Sequence, residues 1–474
     1  MDRPDIYHYR GKRIHMVGIG GSSMSGLAEM LLREGFSVQG TDRNDDHALE
    51  RLRALGIEAV AGHLPEMVEA ADILVYSAAI PPEDPERRRA HLRGIPQVER
   101  AVVLGELMAG YMQQICVAGT HGKTTTSGML AQTLHAMSAD PTVHIGGWLD
   151  AIGGSVRAGS KRLFVAEACE FNRSFLHMPV TLAVLLNIEE DHLDTYGDMN
   201  HVEEAYGQFL AQLPPEGKIV VFGEDIRALR VAKAAGRQVF TFGIGDNNDY
   251  TLSGLSYDHK GQPAFSLLYR GMFLCQVALQ VRGEYNALHA AATLASVHQL
   301  GLDTNEAAAA LGAFTGVQRR FEHTGVVRGM AMYHDYGHNP AEMKAAISMA
   351  AGQARRVIAV MQPHTFSRVK SLFEDYLTCT RGADITLVTD IYAAREKDPG
   401  DIHSSDLVEG MRARGLNAHL TPTFNDTEEW LIGNGMPGDI IITMGCGNIN
   451  QLNTQMQQHE NEKEMAGDRS SNGD

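Results

Sequence analysis

The sequence has few cysteines and no long apolar run. Its five cysteines are widely scattered and none forms a CxxC pair, which argues against a disulfide framework and against a zinc site. No segment approaches about 20 consecutive apolar residues, so we expect no membrane insertion. The first residues, MDRPDIYHYRGKR, also lack the apolar stretch of a signal peptide. These absences predict a soluble, cytoplasmic protein.

Positive charge is also scarce. The chain has 41 basic and 58 acidic residues, which gives a formal net charge of -17. An acidic protein has no overall attraction for nucleic acid, so we expect no nucleic-acid partner. An anionic ligand could bind only through a local positive site. The length of 474 residues suggests two to four domains at roughly 100–200 residues per domain.

Short apolar runs alternate with amphipathic stretches along most of the chain. This pattern is typical of βαβ units and parallel sheets, and it predicts an α/β fold. Three sections can be separated, each with a loop after its first strand: residues 1–110, 111–316 and 317–452. Residues 453–474 are polar and show no hydrophobic face, so we predict a disordered tail there.

The segment VAGTHGKTTT at 117–126 has the features of a phosphate-binding loop. It follows a predicted strand and precedes a predicted helix. Gly119 and Gly122 allow backbone N–H groups to converge on an oxyanion, and Lys123 adds a full positive charge. Thr124 offers a hydroxyl group to Mg²⁺. A glycine-rich turn with an accidental lysine is the alternative, but the order of strand, loop and helix favours binding of nucleotide phosphates.

Two further residues are candidates for metal binding. Glu167 ends the predicted strand LFVAE, and His192 follows the predicted strand TLAVLLN. Both would emerge at the carboxyl edge of the sheet that carries the phosphate loop, where open α/β sheets bind ligands. Together with Thr124 they are predicted to hold Mg²⁺, or Mn²⁺ in its place. The alternatives are a surface acid and a histidine near a helix start.

A second glycine-rich loop lies near the N-terminus, in HMVGIGGSSMSGLAEMLL. Gly18, Gly20 and Gly21 follow a predicted strand and open a predicted helix. Asp42 ends the next predicted strand, about where a ribose-binding acid would lie in a dinucleotide site. NAD is therefore one candidate ligand. Two loops of this kind suggest two ligands that carry phosphate.

Taken together and in order, these motifs resemble the Mur ligases of bacterial cell-wall synthesis, over about residues 15–449. The resemblance is strongest to the branch that adds the first amino acid. The segments that carry it are AGTHGKTTT at 118–126, EACE at 167–170, NIEEDHLDTYG at 187–197, GVQRRFE at 316–322, DYGHNP at 335–340, QPHTFSR at 362–368 and MGCGNI at 444–449.

The resemblance implies three α/β domains: a Rossmann-like N-terminal domain that binds a UDP-sugar, a central P-loop ATPase-type domain, and a Rossmann-like C-terminal domain that closes and admits the amino acid. It also implies an ATP-dependent reaction in peptidoglycan precursor synthesis. The partners would be ATP, L-alanine and UDP-N-acetylmuramate, whose lactyl carboxylate would be activated as an acyl phosphate. The sequence is compatible with a homo-oligomer but does not predict one.

The resemblance further implies roles for individual residues. The expected UDP-sugar contacts are Gly18, Gly20, Gly21, Ser22, Asp42, Ser77, Ala78, Ala79 and Ile80. The expected ATP contacts are Gly119, Thr120, His121, Gly122, Lys123, Thr124, Thr125, Asn286, Arg320 and Asp335. The expected catalytic residues are Lys123, His192, Arg319, Arg320, His338, His364 and Arg368. The expected metal ligands are Thr124, Glu167 and His192.

The sequence departs from the family pattern at a few positions. Tyr285 and His289 replace the His and the second Asn of GxHNxxN, and Asn339 replaces a His. No lysine occurs between His192 and Lys218, so we do not expect the carbamylated lysine that several Mur ligases use. Two other functions stay open. One is a ligase that attaches a tripeptide to the same UDP-sugar, and the other is a non-catalytic regulatory protein that binds NAD or another nucleotide.

Overall fold

The chain divides into two compact units, Met1–Val317 and Gln318–Asp474. This computed structural model describes residues 5–45, 47–78, 80–190, 196–350, 355–394 and 396–471. Two of its three β-sheets lie in the first unit and the third lies in the second unit. Among the described residues, we find no helix with the length and apolar character needed to cross a membrane.

The first sheet has five parallel strands in the order β3-β2-β1-β4-β5. The strands are β1 (Arg13–Val17), β2 (Ser37–Asp42), β3 (Glu58–Ala61), β4 (Ile73–Tyr76) and β5 (Gln97–Glu99). The helices that follow them are α1 (Ser22–Arg33), α2 (His47–Ala54), α3 (Pro65–Val68), α4 (Pro85–Arg93) and α5 (Arg100–Ala109). The strand order reverses between β1 and β4. Ligands of open α/β sheets bind at such a reversal, beyond the carboxyl ends of the strands.

The second sheet has ten strands in the order β15-β14-β13-β12-β11-β10-β6-β9-β7-β8. Its centre is parallel, and antiparallel hairpins lie at both edges. The strands are β6 (Gln113–Ala118), β7 (Thr142–Leu149), β8 (Gly154–Arg157), β9 (Leu163–Glu167), β10 (Leu182–Leu185), β11 (Lys218–Phe222), β12 (Gln238–Gly243), β13 (Tyr250–Tyr257), β14 (Pro263–Tyr269) and β15 (Met272–Ala278).

Helices pack against the second sheet. Its central strands are buried and apolar on both faces, as in other parallel sheets. They are α6 (Lys123–Ala136), α7 (Met199–Ala211), α8 (Ile226–Ala234), α9 (Glu284–Gln299) and α10 (Thr304–Leu311). Short 3-10 helices occur at Ile6–Tyr9, Asp150–Ile152 and Phe171–His177. The strands β9, β6 and β10 are adjacent and parallel, so the loops after them meet at one edge of the sheet.

The second unit contains a six-stranded sheet in the order β16-β17-β21-β18-β19-β20, in which only β16 is antiparallel to its neighbour among the described pairings. The strands are β16 (Glu322–Val327), β17 (Met330–Asp335), β18 (Val357–Met361), β19 (Ile385–Val388), β20 (Ala418–Leu420) and β21 (Ile440–Met444). The helices are α11 (Pro340–Ala350), α12 (Phe366–Ser371), α13 (Phe373–Tyr376), α14 (Ser404–Ala413), α15 (Phe424–Asn434) and α16 (Asn450–Ser471). The predicted three-domain α/β fold is therefore confirmed.

The C-terminal segment differs from its prediction. We predicted disorder over 453–474, but the helix α16 runs to Ser471. Leu452 and Met456 are buried one turn apart, and the Asn453 amide donates to the Tyr333 carbonyl at 3.2 Å. The prediction of disorder is wrong for these first turns because a stripe of two apolar residues is too narrow to be recognised in a polar sequence. Residues 472–474 lie outside the described part of the chain.

Candidate active site

The loop between β6 and α6 has the conformation that an oxyanion requires. Gly119 and Gly122 have positive φ angles of 141° and 82°, a region that side chains disfavour. A Cβ atom on Gly122 would lie 2.4 Å from Nε2 of His289, so close packing also demands glycine there. Gly122 caps α6 without a side-chain hydrogen bond, and no acidic residue stands in the first turn. The N–H groups at this helix start can therefore bind an anion.

Lys123 lies inside the loop and forms an ion pair. Its Nζ is 2.9 Å from Oε1 of Glu170 and donates to the carbonyls of Gly119 at 2.6 Å and Thr120 at 3.0 Å. Burial is the largest single influence and would lower the pKa of Lys123, but the charge and hydrogen bond of Glu170, together with the nearby charges of Cys169 and Glu167, raise the pKa above its usual value. Lys123 is thus a full cation at neutral pH. Glu170, the second acid of the EACE motif, is not among the predicted site residues.

Glu167 and Thr124 meet at the same edge of the sheet. The Thr124 hydroxyl and the Gly146 N–H both donate to Oε2 of Glu167 at 2.9 Å. A Cβ atom on Gly146 would lie 2.6 Å from this oxygen, so glycine makes room for the carboxylate. These two side chains offer hard oxygen ligands of the kind that Mg²⁺ takes, and they fit the predicted cation.

The third predicted ligand, His192, falls in 191–195, which the structure does not describe. Over the described ranges there is no group of three or more His, Cys, Asp or Glu residues that could hold a metal ion. A Mg²⁺ ion bound to Thr124 and Glu167 would also take phosphate oxygens and water as ligands, as Mg²⁺ commonly does. The predicted role of His192 stays a prediction.

The loop is held in place by the segment that follows β10. Asn187 accepts from the His121 N–H at 2.8 Å through its side chain, and its carbonyl accepts from the Thr120 N–H at 3.2 Å. The Glu189 N–H donates to the Thr120 hydroxyl at 2.9 Å. A hydrogen bond from His121 is the largest influence on the Glu189 carboxyl and lowers its pKa. Thr120 and His121 thus order the loop, while Thr125 lies half-buried on the first turn of α6.

A cavity of about 640 Å³ opens beside this loop. Half of the residues that line it are apolar or aromatic, and the other half are acids, arginines, an asparagine and a histidine: Leu186, Asn187, Ile188, Glu189, Phe222, Glu224, Asp225, Ile226, Arg227, Arg230, Phe242, Tyr285, Leu288 and His289. A concave wall that offers aromatic and apolar surface together with polar groups, next to a phosphate loop, suits a nucleotide.

Two of the departures from the family pattern, Tyr285 and His289, line this cavity. Nδ1 of His289 is buried and forms no hydrogen bond among the described residues. Burial lowers the pKa of His289 to about 4, so the ring is neutral at neutral pH. Asn286 is not a lining residue, and its amide donates to the Arg282 carbonyl at 2.7 Å. The predicted contact of Asn286 with adenine stays a prediction.

The N-terminal glycine loop lies at the strand reversal of the first sheet. Gly18 has a φ of 75°, and its N–H donates to the Thr41 carbonyl at 2.8 Å. The Gly20 N–H donates to Oδ2 of Asp42 at 2.9 Å, and a Cβ atom on Gly20 would lie 2.6 Å from Leu49. Asp42 therefore orders the loop. Gly21 precedes α1, which begins at Ser22.

The other predicted UDP-sugar contacts follow β4. The Ile80 N–H donates to the Ser77 carbonyl at 2.8 Å, and the Ile80 carbonyl accepts from Arg87 at 2.6 Å. The Arg87 guanidinium also stacks on Tyr76, 3.6 Å from the ring centre. Ala78 belongs to this turn, whereas Ala79 lies outside the described residues. This turn and the glycine loop lie at the carboxyl ends of the adjacent strands β4 and β1.

The two predicted arginines lie side by side at the start of the second unit. Arg319 has a left-handed φ of 63°, and its guanidinium donates to Nε2 of His334 at 3.1 Å and to the Gly447 carbonyl at 3.0 Å. Burial lowers the pKa of His334 to about 3, so its ring is neutral and can accept this bond. Arg319 is therefore committed to its own unit. Both guanidinium groups lie over the Tyr336 ring, Arg319 at 4.8 Å and Arg320 at 5.1 Å from its centre.

Asp335 is also committed to its own unit. Its carboxylate accepts from the N–H groups of Phe321 at 2.8 Å and Gly337 at 2.7 Å, which ties the RRFE segment to the end of β17. Burial raises the pKa of Asp335. These contacts assign Asp335 a structural role in the described chain, and its predicted contact with ATP stays a prediction.

The predicted histidines of the second unit lie together. The rings of His338 and His364 are 5.8 Å apart, and Nδ1 of His338 is 3.3 Å from Oε2 of Glu342. The Asn339 side chain accepts from the Glu342 N–H at 2.9 Å and so orders the start of α11. Arg368 lies on α12, the helix that follows the His364 loop. The catalytic roles of His338, His364 and Arg368 stay predictions.

Comparison with known proteins agrees with this arrangement. Three family models match: "Mur ligase family, catalytic domain" over residues 13–112, "Mur ligase middle domain" over 117–297 and "Mur ligase, glutamate ligase domain" over 319–447. The UDP-N-acetylmuramate–L-alanine ligase of Caldanaerobacter subterraneus subsp. tengcongensis is 41% identical over 442 residues, which cover 93% of this chain and 96% of the relative. That of Clostridium novyi is 39% identical over 439 residues, covering 92% and 95%.

Solved structures share the fold. The UDP-N-acetylmuramate-alanine ligase MurC of Thermotoga maritima has a TM-score of 0.82 at 24% identity, with 95% of this chain and 100% of that chain covered. The MurF ligase of Thermotoga maritima in complex with ADP has a TM-score of 0.61 at 16% identity, with 84% and 91% covered. Together, the three matched family models and the relatives of about 40% identity over nearly the whole length establish that this chain belongs to the Mur ligase family.

Proposed function

We propose that this chain joins L-alanine to the lactyl carboxylate of UDP-N-acetylmuramate and converts ATP to ADP and phosphate. The observation that carries the proposal is the loop at 119–122 with Lys123, next to the oxygen pair of Thr124 and Glu167. The relatives of about 40% identity bear the name of this activity. The cavity beside the loop receives the adenosine part of ATP.

The reaction needs activation because a carboxylate cannot acylate an amine while oxide is the leaving group. A carboxylate oxygen attacks the γ-phosphorus of ATP, the bond to the β-phosphate oxygen breaks, and ADP leaves. The deprotonated amine of alanine then attacks the acyl carbon, and inorganic phosphate leaves with the electrons of the carbon–oxygen bond. When bound, Mg²⁺ would neutralise part of the negative charge on the phosphate oxygens.

The protein contributes position and charge to these steps rather than covalent chemistry. The loop N–H groups and the Lys123 ammonium stabilise the oxygens on which charge accumulates. Because the Lys123 pKa is raised, this charge is present throughout the neutral range. The neutral ring of His289 can accept a hydrogen bond from a base amine in the cavity.

ADP release in the presence of ATP, Mg²⁺, UDP-N-acetylmuramate and alanine tests the proposal. Lys123→Ala should abolish this release, whereas Lys260→Ala, on an exposed turn, should leave it unchanged. Near-normal turnover of Lys123→Ala would refute the phosphate-loop assignment. A panel of amino acids and a tripeptide in place of alanine separates this activity from a tripeptide ligase. NAD binding without UDP-sugar-dependent ADP release would instead indicate a regulatory protein.

A further inference from the structure

Arg100 lies between the two ligand-binding loops of the first unit. It is the first residue of α5 and follows β5 directly. Its guanidinium donates to the Ser23 hydroxyl at 2.8 Å, in the first turn of α1. On the other side it is close enough to Glu167 to feel that carboxylate's charge. Arg100 therefore connects the N-terminal glycine loop with the metal-binding edge of the second sheet.

Arg100 forms no ion pair among the described residues, although the carboxylates of Glu99 and Glu167 are near enough for their charges to act on it. Burial lowers the pKa of its guanidinium, and over the described ranges we find no carboxylate within 4.0 Å of it. The Ser23 hydroxyl is its one hydrogen-bond acceptor among these residues. Arg51 and Arg157 of the same unit instead pair with Glu29 at 2.8 Å and Asp140 at 2.6 Å. A half-buried cation without an ion-pair partner is costly, so it is expected where a ligand brings the anion.

The histidine nearest to this site, His144, adds no charge to it at neutral pH. Nε2 of His144 lies 3.2 Å from the Ser23 carbonyl. Burial, assisted by the positive charge of Arg100, lowers the pKa of His144 to about 4. His144 is therefore neutral at neutral pH. The start of α1 adds the partial positive charge of a helix N-terminus, which also favours an anion.

We propose that Arg100 binds an anionic oxygen of the sugar nucleotide, on its diphosphate or on its lactyl carboxylate. This inference rests on the proposed function. A UDP-N-acetylmuramate that extends from the glycine loop to the phosphate loop passes Arg100 and carries two anionic groups, a diphosphate and a carboxylate. The planar fork of an arginine can form two parallel hydrogen bonds to either group.

The test measures binding and stability of Arg100→Met, Arg100→Lys and a control, Arg93→Met. Arg93 lies on α4, is exposed and pairs with Glu69 at the surface. Titration calorimetry with UDP-N-acetylmuramate should show a Kd about 30-fold higher or more for Arg100→Met, a smaller increase for Arg100→Lys, and no change for Arg93→Met. In Arg100→Met the Kd for ATP should not rise, and the Tm without ligand should not fall, because a half-buried charge without an ion-pair partner has been removed.

UDP-N-acetylglucosamine, which has the diphosphate but lacks the lactyl carboxylate, identifies the group. Equal loss with both sugar nucleotides assigns Arg100 to the diphosphate, and loss with UDP-N-acetylmuramate alone assigns it to the carboxylate. An unchanged Kd for both ligands overturns the inference, as does a lower Tm of ligand-free Arg100→Met with equal weakening of ATP binding. Failure of the wild-type chain to bind either sugar nucleotide or to release ADP would instead overturn the proposed function.

Discussion

Replacing Glu170 by glutamine removes the charge that faces Lys123 while preserving the shape of the side chain. Two unit charges 2.9 Å apart attract each other by about 6 kcal/mol at an effective dielectric constant of about 20. Leaving a buried charge without its partner costs about 3–5 kcal/mol, and we expect the lower value because glutamine can still accept a hydrogen bond. If Met1–Val317 unfolds cooperatively with about 2.1 cal/mol/K of entropy per residue, a loss of about 3 kcal/mol lowers its Tm by about 4–5 °C.

The pH profile separates this electrostatic role from a packing role. In the wild-type chain, Lys123 stays protonated into alkaline solution because Glu170 raises its pKa. In Glu170→Gln, burial dominates and lowers the Lys123 pKa, so kcat/KM for ATP should decline at a lower pH than in the wild type. The control Glu69→Gln, at an exposed ion pair, should change neither Tm nor the profile. Identical alkaline limbs in Glu170→Gln and the wild type would refute the reasoning.

Two further predictions concern the second unit and the acid stability of the first unit. Arg319→Met removes bonds to the carbonyls of Gly445 and Gly447, so Tm should fall, and Arg320→Met should lose about 10³-fold in kcat. Normal kcat in Arg320→Met would contradict this assignment. The pKa of His144 is about 4 in the folded chain and about 6.5 in the unfolded chain. Protonation of His144 therefore does not reduce the free energy of unfolding above about pH 6.5, but reduces it progressively from about pH 6.5 down to about pH 4. His144→Gln should therefore flatten the acid decline in Tm, and an unchanged decline would count against it.

The sequence determined the fold class and the location of the phosphate loop. Both depend on local patterns, because apolar runs read as strands and a GKT segment after a strand has few structural alternatives. The position of Glu167 at the edge of the sheet could be predicted for a similar reason, since the carboxyl ends of parallel strands lie at one edge. The C-terminal helix was missed because its buried residues form too narrow a stripe.

Tertiary structure alone decided which side chains face one another. The Lys123–Glu170 pair joins residues 47 positions apart, and the Arg100–Ser23 bond joins residues 77 positions apart. Nothing in the RRFE motif itself predicts that Arg319 bonds to the carbonyls of Gly445 and Gly447 in its own unit. These contacts could not be predicted from the sequence because the pKa and the role of a titratable side chain depend on the groups packed around it, not on its neighbours in the chain.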